Sequence, residues 1–488
     1  TTAEDDVSGS LRDAIEQANE TPGADTITFD ESLAGETIAL SEGELVINDP
    51  LTIEGLGAVS LTIDAEGNSR VFNIDDGDEE NIIDVSIEGL TITGGDLESR
   101  SSGGGISNRE NLNLTSSNVS GNSASRYGGG IDNDVTLTLT NSTISGNSAL
   151  RDGGGINNKG TMTLTNSTVS GNTGASGGGI NNKGTMTLTN STVSGNSARS
   201  SGGGISNRYS AATLTNSTVS GNSSEPRNIY NYGYRSFGGG IDNIQGTVNL
   251  TNTIVANSIG GDFRNSFSSL FKGVLNIYGT NLVEDFVGLR PFRNDPNFLR
   301  DDPNLSPLQD NGGATLTHLP LEGSLAIDAG YNSILPTDPK DFDGDGDTEE
   351  SLPFDQRGEG FDRVSGEAVD LGAVEVQFSN QAPDDITLSN TTIDDNVPAN
   401  SVVGTFSTTD PDSGDSFTYS LVSGLGDNDN DLFTIDGETL SLDISPDLET
   451  QDSYSIRVQT EDSAGGTVTE TFTVNVNDLD EAPEETAF

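Results

Sequence analysis

The sequence contains no cysteine, no tryptophan, one histidine and two methionines in 488 residues. Without cysteine there is no disulfide scaffold and no Cys₄-type zinc site. A catalytic His triad has a single candidate, His318, and no Cys nucleophile to serve. Positive charge is also scarce: 21 Lys and Arg face 77 Asp and Glu, a net charge of −56. Nucleic acid is therefore a poor partner, because phosphate binding requires Lys and Arg. No run approaches the ~20 apolar residues of a membrane-spanning helix. No signal peptide is visible, and the chain opens on Thr1-Thr2-Ala3-Glu4, which reads as a processed product or a piece of a longer protein.

What is abundant is glycine, 61 residues, and much of it belongs to one repeat. A Gly-Gly-Gly-Ile tetrad ends at Ile106, Ile131, Ile156, Ile180, Ile205 and Ile241, with spacings of 25, 25, 24, 25 and 36. A period in the twenties marks a solenoid. A leucine-rich repeat would need more leucines and a helical return, so the reading is a β-solenoid with three short strands per coil. Within Thr161–Thr165, Met162 and Leu164 face one way and the threonines the other. Stacked copies give inward columns of Leu (114, 139, 164, 188, 214, 250), of Val or Ile (119, 144, 169, 193, 219), and of the tetrad Ile. Three apolar columns suit a right-handed parallel β-helix, in which neighbouring coils complete each other's core. A dozen or so coils at about 4.8 Å each give a rod of about 60 Å.

Glycine and asparagine mark the corners, where positive φ or close backbone approach is needed. Asn recurs at 108, 133, 158, 182, 207 and 243, and again at 122, 147, 172, 196 and 222. Such columns are expected to form structural amide ladders. The Gly-Gly-Gly-Ile and Ile/Val-Ser-Gly-Asn pair over 101–257 resembles the repeat of the polymorphic outer-membrane protein family of bacterial surface β-helices. That resemblance implies an exported surface protein.

Ahead of the repeat, Ser10 to Asn19 reads as a helix, with Ser10 and Asp13 as a capping-box variant and Leu11, Ala14, Ile15 and Ala18 on one face. It is expected to cover the first coil's open strand edges. With Gly23-Ala24-Asp25-Thr26-Ile27 it resembles the N-terminal segment, often called CSLREA, of exported bacterial β-helices. Residues 26–97 hold irregular strands, about three coils. The insertion Glu225–Phe237, with Tyr230, Tyr232, Tyr234 and Phe237, reads either as a recognition loop or as a flap on the wall.

From 258 to 378 the period fades. Ala326-Ile327-Asp328-Ala329-Gly330, Asp355-Gln356-Arg357-Gly358 and Val369-Asp370-Leu371-Gly372-Ala373 resemble the choice-of-anchor Q module, which implies a C-terminal cap. Asp328, Arg357 and Asp370 then read as a buried Arg–carboxylate clamp. Within this stretch Asp341, Asp343 and Asp345 alternate, with Gly346 sixth, as in a Ca²⁺ loop. An EF-hand would place Glu where Leu352 stands, so the loop resembles half of one.

Near Asn380-Gln381-Ala382-Pro383 the pattern changes to alternating strands of a β-sandwich. Ile393-Asp394-Asp395, Thr409-Asp410-Pro411-Asp412, Asp447-Leu448-Glu449, Glu461-Asp462 and Asn477-Asp478-Leu479-Asp480-Glu481 resemble a bacterial cadherin domain over about 380–483. The resemblance implies Ca²⁺ held by Asp395, Asp410, Asp412, Glu449, Asp462, Asp478, Asp480 and Glu481. Phe378 stands where the family has Asp, so the upper junction is expected to bind more weakly than the lower. Pro483 is expected to precede a further module.

The domain reading is 1–97, 98–257, 258–378 and 379–488. The functional reading is a non-enzymatic, extracellular structural or adhesive protein: a Ca²⁺-rigidified stalk, matrix component or fibre subunit. Its partners would be further copies through the module ends, or a surface glycan or protein. The alternative is a polysaccharide-binding or polysaccharide-degrading enzyme. Such enzymes set paired carboxylates in a cleft, and Asp132, Asp134, Asp152 and Asp242 form no obvious constellation. A third class follows from the paired Thr138/Thr140, Thr163/Thr165, Thr187/Thr189 and Thr213/Thr215, similar to ice-binding solenoids. Thr's preference for strands accounts for these columns as well.

Overall fold

The computed structural model describes all residues except 1, 6, 98–100, 226, 230–232, 236–237, 269–270, 288–294, 339, 378–379, 413–414, 464 and 479–488; for 227–229, 233–235, 267–268 and 271 it describes the backbone alone. The chain divides into two units, 1–377 and 378–488.

The first unit is a parallel β-solenoid of about nine turns. Its three long sheets have 10, 10 and 11 strands, and coils stack in register: Thr161–Thr165 pairs with Thr185–Thr189, Ile156–Asn158 with Ile180–Asn182, and Thr168–Ser170 with Thr192–Ser194. The predicted inward columns are buried throughout, including Met162 and Met186. A fourth, six-stranded sheet was not expected. It forms because the chain stays extended for a few residues beyond the second Asn column, turning Ala124, Ala149 and Ala198 inward.

Both Asn columns are ladders. Asn108 Nδ2 donates to Asn133 Oδ1 at 2.8 Å, Asn133 to Asn158 at 2.7 Å, and Asn158 to Asn182 at 2.8 Å. Asn122, Asn147 and Asn172 repeat the pattern at 3.0, 3.0 and 2.9 Å. The left-handed corner belongs to a third column, Asn141, Asn166, Asn190, Asn216 and Asn252, at φ between +44° and +50°. Each glycine triplet has two distinct requirements. Gly153 takes φ +71°, and a Cβ on Gly154 would lie 2.4 Å from the carbonyl oxygens of Gly178 and Thr173 on the next coil.

The helix Leu11–Glu20 closes one end. Ser10 Oγ accepts from the Asp13 N–H at 3.1 Å, and Asp13 accepts from the Gly9 N–H at 2.6 Å. Leu11, Ile15 and Ala18 are buried on the core, while Arg12 and Asn19 donate to the carbonyls of Glu44 and Val46 along the first strand edge. That pairing blunts the edge. At the other end Phe263 stacks on Phe286 with centroids 5.3 Å apart, and Phe298 meets Phe286 edge to face at 6.5 Å.

The expected cap is instead a strap. Coil strands stop at Phe298–Leu299, so the rod is nearer about 43 Å than 60 Å. Residues 303–376 then run back along the outer face of the sheet containing Thr168–Ser170. Thr168 Oγ1 donates to the Leu316 carbonyl at 2.7 Å, Asn190 Nδ2 to Phe354 at 2.8 Å, and the Ala373 N–H to Thr218 Oγ1 at 3.0 Å. Ile254, Ala256 and Leu282, outward-facing on the last coils, pack with Ala326 and Leu371. On these last coils the outward face under the strap turns apolar, whereas on the earlier ones it is threonine.

Of the insertion, the described part is one antiparallel pair, Arg227–Ile229 with Gly233–Arg235. Tyr230, Tyr232, Phe237 and the Tyr234 side chain lie outside the described residues.

The second unit is built of two four-stranded sheets around one core that includes Ile386, Phe406, Leu440, Tyr454, Ile456 and Val474. The pairings are antiparallel except for Thr392–Asp394, an unpredicted strand parallel to the end of Thr467–Asn477. The unit carries 24 acidic residues and a single base, Arg457.

Candidate metal centres

The strand directions sort the sandwich acids into two poles. Ser401–Thr409 and Ser453–Glu461 end at the pole where Asp385 and Thr467 begin their strands. Asp410, Asp412 and Asp462 gather there, with Asp415, which the motifs had not identified. Carboxylate oxygens of Asp410, Asp412 and Asp415 lie within 4.8 Å of one another. Their inner oxygens are tied down: Asp410 accepts from the Asp412 N–H at 2.8 Å, Asp412 from the Gln381 N–H at 2.5 Å, and Asp415 from Ser463 Oγ. Asp410 Oδ2 and Asp415 Oδ2 are screened from solvent and, among the described residues, have no hydrogen-bond partner. Asp462 is 5% exposed and accepts from Asn380 Nδ2 at 3.1 Å, so Asn380 reaches this pole.

Asp395, Glu449 and Asp478 sit at the opposite pole. Asp395 is buried and its N–H donates to the Asn477 carbonyl, whereas Glu449 and Asp478 are exposed. Among the described residues their carboxylates do not converge as the first group does. Asp480 and Glu481 lie outside the described residues, as does Phe378.

In the strap, Asp341, Asp343 and Asp345 converge within 4.8 Å, and Asp343 also meets Asp338 and Glu350. The two glycines take φ +75° and +89°, and Gly346 N–H donates to Asp341 at 3.1 Å. The acid that meets Asp343 from beyond the loop is Glu350, while Leu352, at the twelfth position, is turned into the strap's interior. Counting along the loop could not reveal this. Desolvation, followed by the charges of Asp343 and Asp345, raises the Glu350 carboxyl above its ordinary range. Every donor in both clusters is a hard oxygen, the chemistry Ca²⁺ takes.

Beneath the strap lies a fully buried polar network. Arg357 clamps Asp355 at 2.6 Å, and Arg363 holds Glu375 at 3.0 Å. The expected clamp exists, but Asp328 and Asp370 are not Arg357's partners. Asp370 instead accepts the N–H groups of Asp328 and Val376 at 2.7 Å each. Burial, against the pull of Arg363, pushes Glu375 up to about 7; it likewise pushes Asp370, which also accepts those two N–H groups, up to about 6. His318 is also buried here: Nδ1 donates to the Ser306 carbonyl at 2.7 Å, leaving Nε2 to accept from Ser194 Oγ at 2.8 Å. Burial lowers its pKa. The pair ties the strap to the wall.

On the solenoid wall, Asp132 and Asp134 are neutralised by Lys159 at 3.3 and 2.6 Å, Asp242 by Arg264 at 2.5 Å, and Asp152 by Lys183 at 3.3 Å. Asp132 and Asp134 thus share one ammonium, that of Lys159. The outward threonines of the sheet containing Thr161–Thr165 form three registered, part-exposed columns. Among the described residues no helix is long and apolar enough to cross a membrane.

No family model matches the chain, and no curated protein matches it. Several solved structures are similar over parts of it. Cadherin domains 1–4 of protocadherin gamma B7 share 21% identity over 20% of this chain and 26% of that one, with a TM-score of 0.17. Domains 1–3 of mouse clustered PcdhgC3 share 21% over 20% and 33%, at 0.17. The chain thus spans about a quarter to a third of those structures. Pectate lyase Pel9A shares 12% identity over 70% of this chain and 88% of its own, at a TM-score of 0.33.

Proposed function

We propose that this protein is an exported, non-enzymatic structural and adhesive component of a bacterial surface, a stalk, matrix component or fibre subunit stiffened by Ca²⁺. The observation that carries the reading is the pole of the sandwich. Three carboxylates lie within 4.8 Å, and two of their oxygens are sheltered and without a partner among the described residues. Burying such oxygens without a counter-charge is costly, and Arg457 is the sandwich's one base. A divalent cation held by Asp410, Asp412 and Asp415, with Asp462 beside them, removes that cost.

The physical logic is stiffness without disulfides. The solenoid supplies a rod whose two asparagine ladders are hydrogen-bonded from coil to coil. Ca²⁺ offsets the self-repulsion of the acidic sandwich and ties its loops to the linker at Asn380. The strap loop around Asp343 and Glu350 is a second Ca²⁺ site on the same logic.

Calorimetric titration of the chelator-treated chain with CaCl₂ tests this. Binding is expected, and it should be reduced in Asp410→Asn/Asp412→Asn/Asp415→Asn. Equal binding by that variant would remove the site from the account. Depolymerisation of a polysaccharide by the purified chain would replace the reading with the enzymatic alternative.

A further inference from the structure

Acids thin out along the regular coils. Residues 101–224 hold seven bases against four acids, in a protein whose acids otherwise prevail. Stacking brings three of those bases around one phenol. The Arg126 guanidinium lies 5.6 Å from the Tyr127 ring centroid, Lys183 Nζ lies 5.2 Å from it, and Arg151 Nη1 is 3.5 Å from the Tyr127 hydroxyl. Arg126 and Arg151 occupy the same place on successive coils, with the Arg151 N–H donating to the Arg126 carbonyl at 3.0 Å. Among the described residues neither arginine has a carboxylate partner, and Asp152 on Lys183 is the cluster's one ion pair. A furrow beginning at Ser125, beside Arg126, is lined by Ser148, exposed Leu150 and a fourth base, Arg199, with Asp96 at its far side.

We infer that this face of the solenoid binds an acidic polysaccharide through its carboxylates. Like charges carried by adjacent coils, whose backbones lie about 4.8 Å apart, repel unless an anion bridges them. Guanidinium forks match carboxylates in geometry as well as charge. The pair is aligned along the stacking direction, so it suits a polymer lying along the solenoid wall. Nucleic acid carries about one charge per 1.7 Å, far denser than this small island can neutralise within a strongly acidic protein. A uronate chain, with one carboxylate per sugar, matches the sparse cations, and Ser125, Ser148 and Leu150 offer hydroxyl and apolar contacts to its rings. The site lies on the solenoid and uses none of the proposed calcium ligands, so the two readings fail separately.

The test is affinity electrophoresis of the full chain in gels containing polygalacturonate, or neutral dextran as control, with chelator present to prevent calcium bridging. Retardation by polygalacturonate alone is expected. Arg126→Ala/Arg151→Ala should weaken it by about tenfold or more while leaving thermal unfolding unchanged. Raising the salt should weaken it further. Absence of retardation, or equal retardation of the double variant, would overturn the proposal. Sedimentation velocity covers the remaining occupant: self-association that the same variant abolishes would assign the island to the acidic surface of a second copy, and would likewise overturn it.

Discussion

The regular coils and the acidic pole of the sandwich handle buried polar groups in opposite ways. In the two ladders each asparagine finds its partner one turn away, and the ladder from Asn108 to Asn265 closes within the protein; in the corner column Asn166, Asn190 and Asn216 keep neutral amide atoms without a partner among the described residues. At the pole, Asp410 and Asp415 leave oxygens sheltered but unpaired. Repetition lets a polar group be satisfied by a copy of itself. An acidic cluster has no such recourse, because its neighbours carry the same charge. The solenoid should therefore be stable unaided, while the sandwich should depend on a cation.

The largest effect should come from the coil interior. Leu164→Ala removes a fully buried side chain from an unbroken column and should cost about 2–5 kcal/mol in urea unfolding. Asn158→Ala should cost about 1–3 kcal/mol, since it strands the Asn133 amide and the Asn182 oxygen in the wall. Neither loss should be restored by Ca²⁺.

The strap supplies an intermediate case, in which burial rather than repetition sets the terms. Folding raises the carboxyls of Glu375 and Asp370, so the folded state holds protons that the unfolded chain releases. That contribution favours folding at pH below the ordinary carboxylate range, and it is lost as pH rises towards about 7. Limited proteolysis within 303–376 should therefore be slower at pH 5 than at pH 8. Glu375→Gln/Asp370→Asn should flatten the difference.

Two threonines of one coil give the finest comparison. Thr168 is buried under the strap, donating to Leu316 and accepting from Gln356 Nε2 at 2.8 Å, so Thr168→Val should cost about 1–3 kcal/mol. Thr163 faces outward on the uncovered sheet, and Thr163→Val should change stability by less than about 0.5 kcal/mol. Similar losses at both would mean that the second sheet is covered too.

What could be read from the sequence followed the same division. The solenoid, its inward columns and its Asn ladders were legible because a 25-residue period projects directly onto one coil. The strap was not, since Thr315, His318 and Gln356 meet wall residues more than 120 positions away and carry no periodic signal. The fourth sheet was too short to register as strands. Glu350 was missed because loop counting pointed to Leu352, and Asp415 because it lies outside the cadherin-like motifs. Arg126, Arg151 and Lys183 lie on three different coils, so only the stacked structure gathers them around Tyr127.

The most direct test of the central claim is scanning calorimetry of the full chain in millimolar CaCl₂ and in excess chelator. One transition should rise by about 10 °C with Ca²⁺, as expected for a ligand well above its dissociation constant, and Asp410→Asn/Asp412→Asn/Asp415→Asn should abolish the shift. A thermogram identical with and without Ca²⁺ would contradict the account, leaving the acidic pole as a solvated surface with no part in stiffening the molecule.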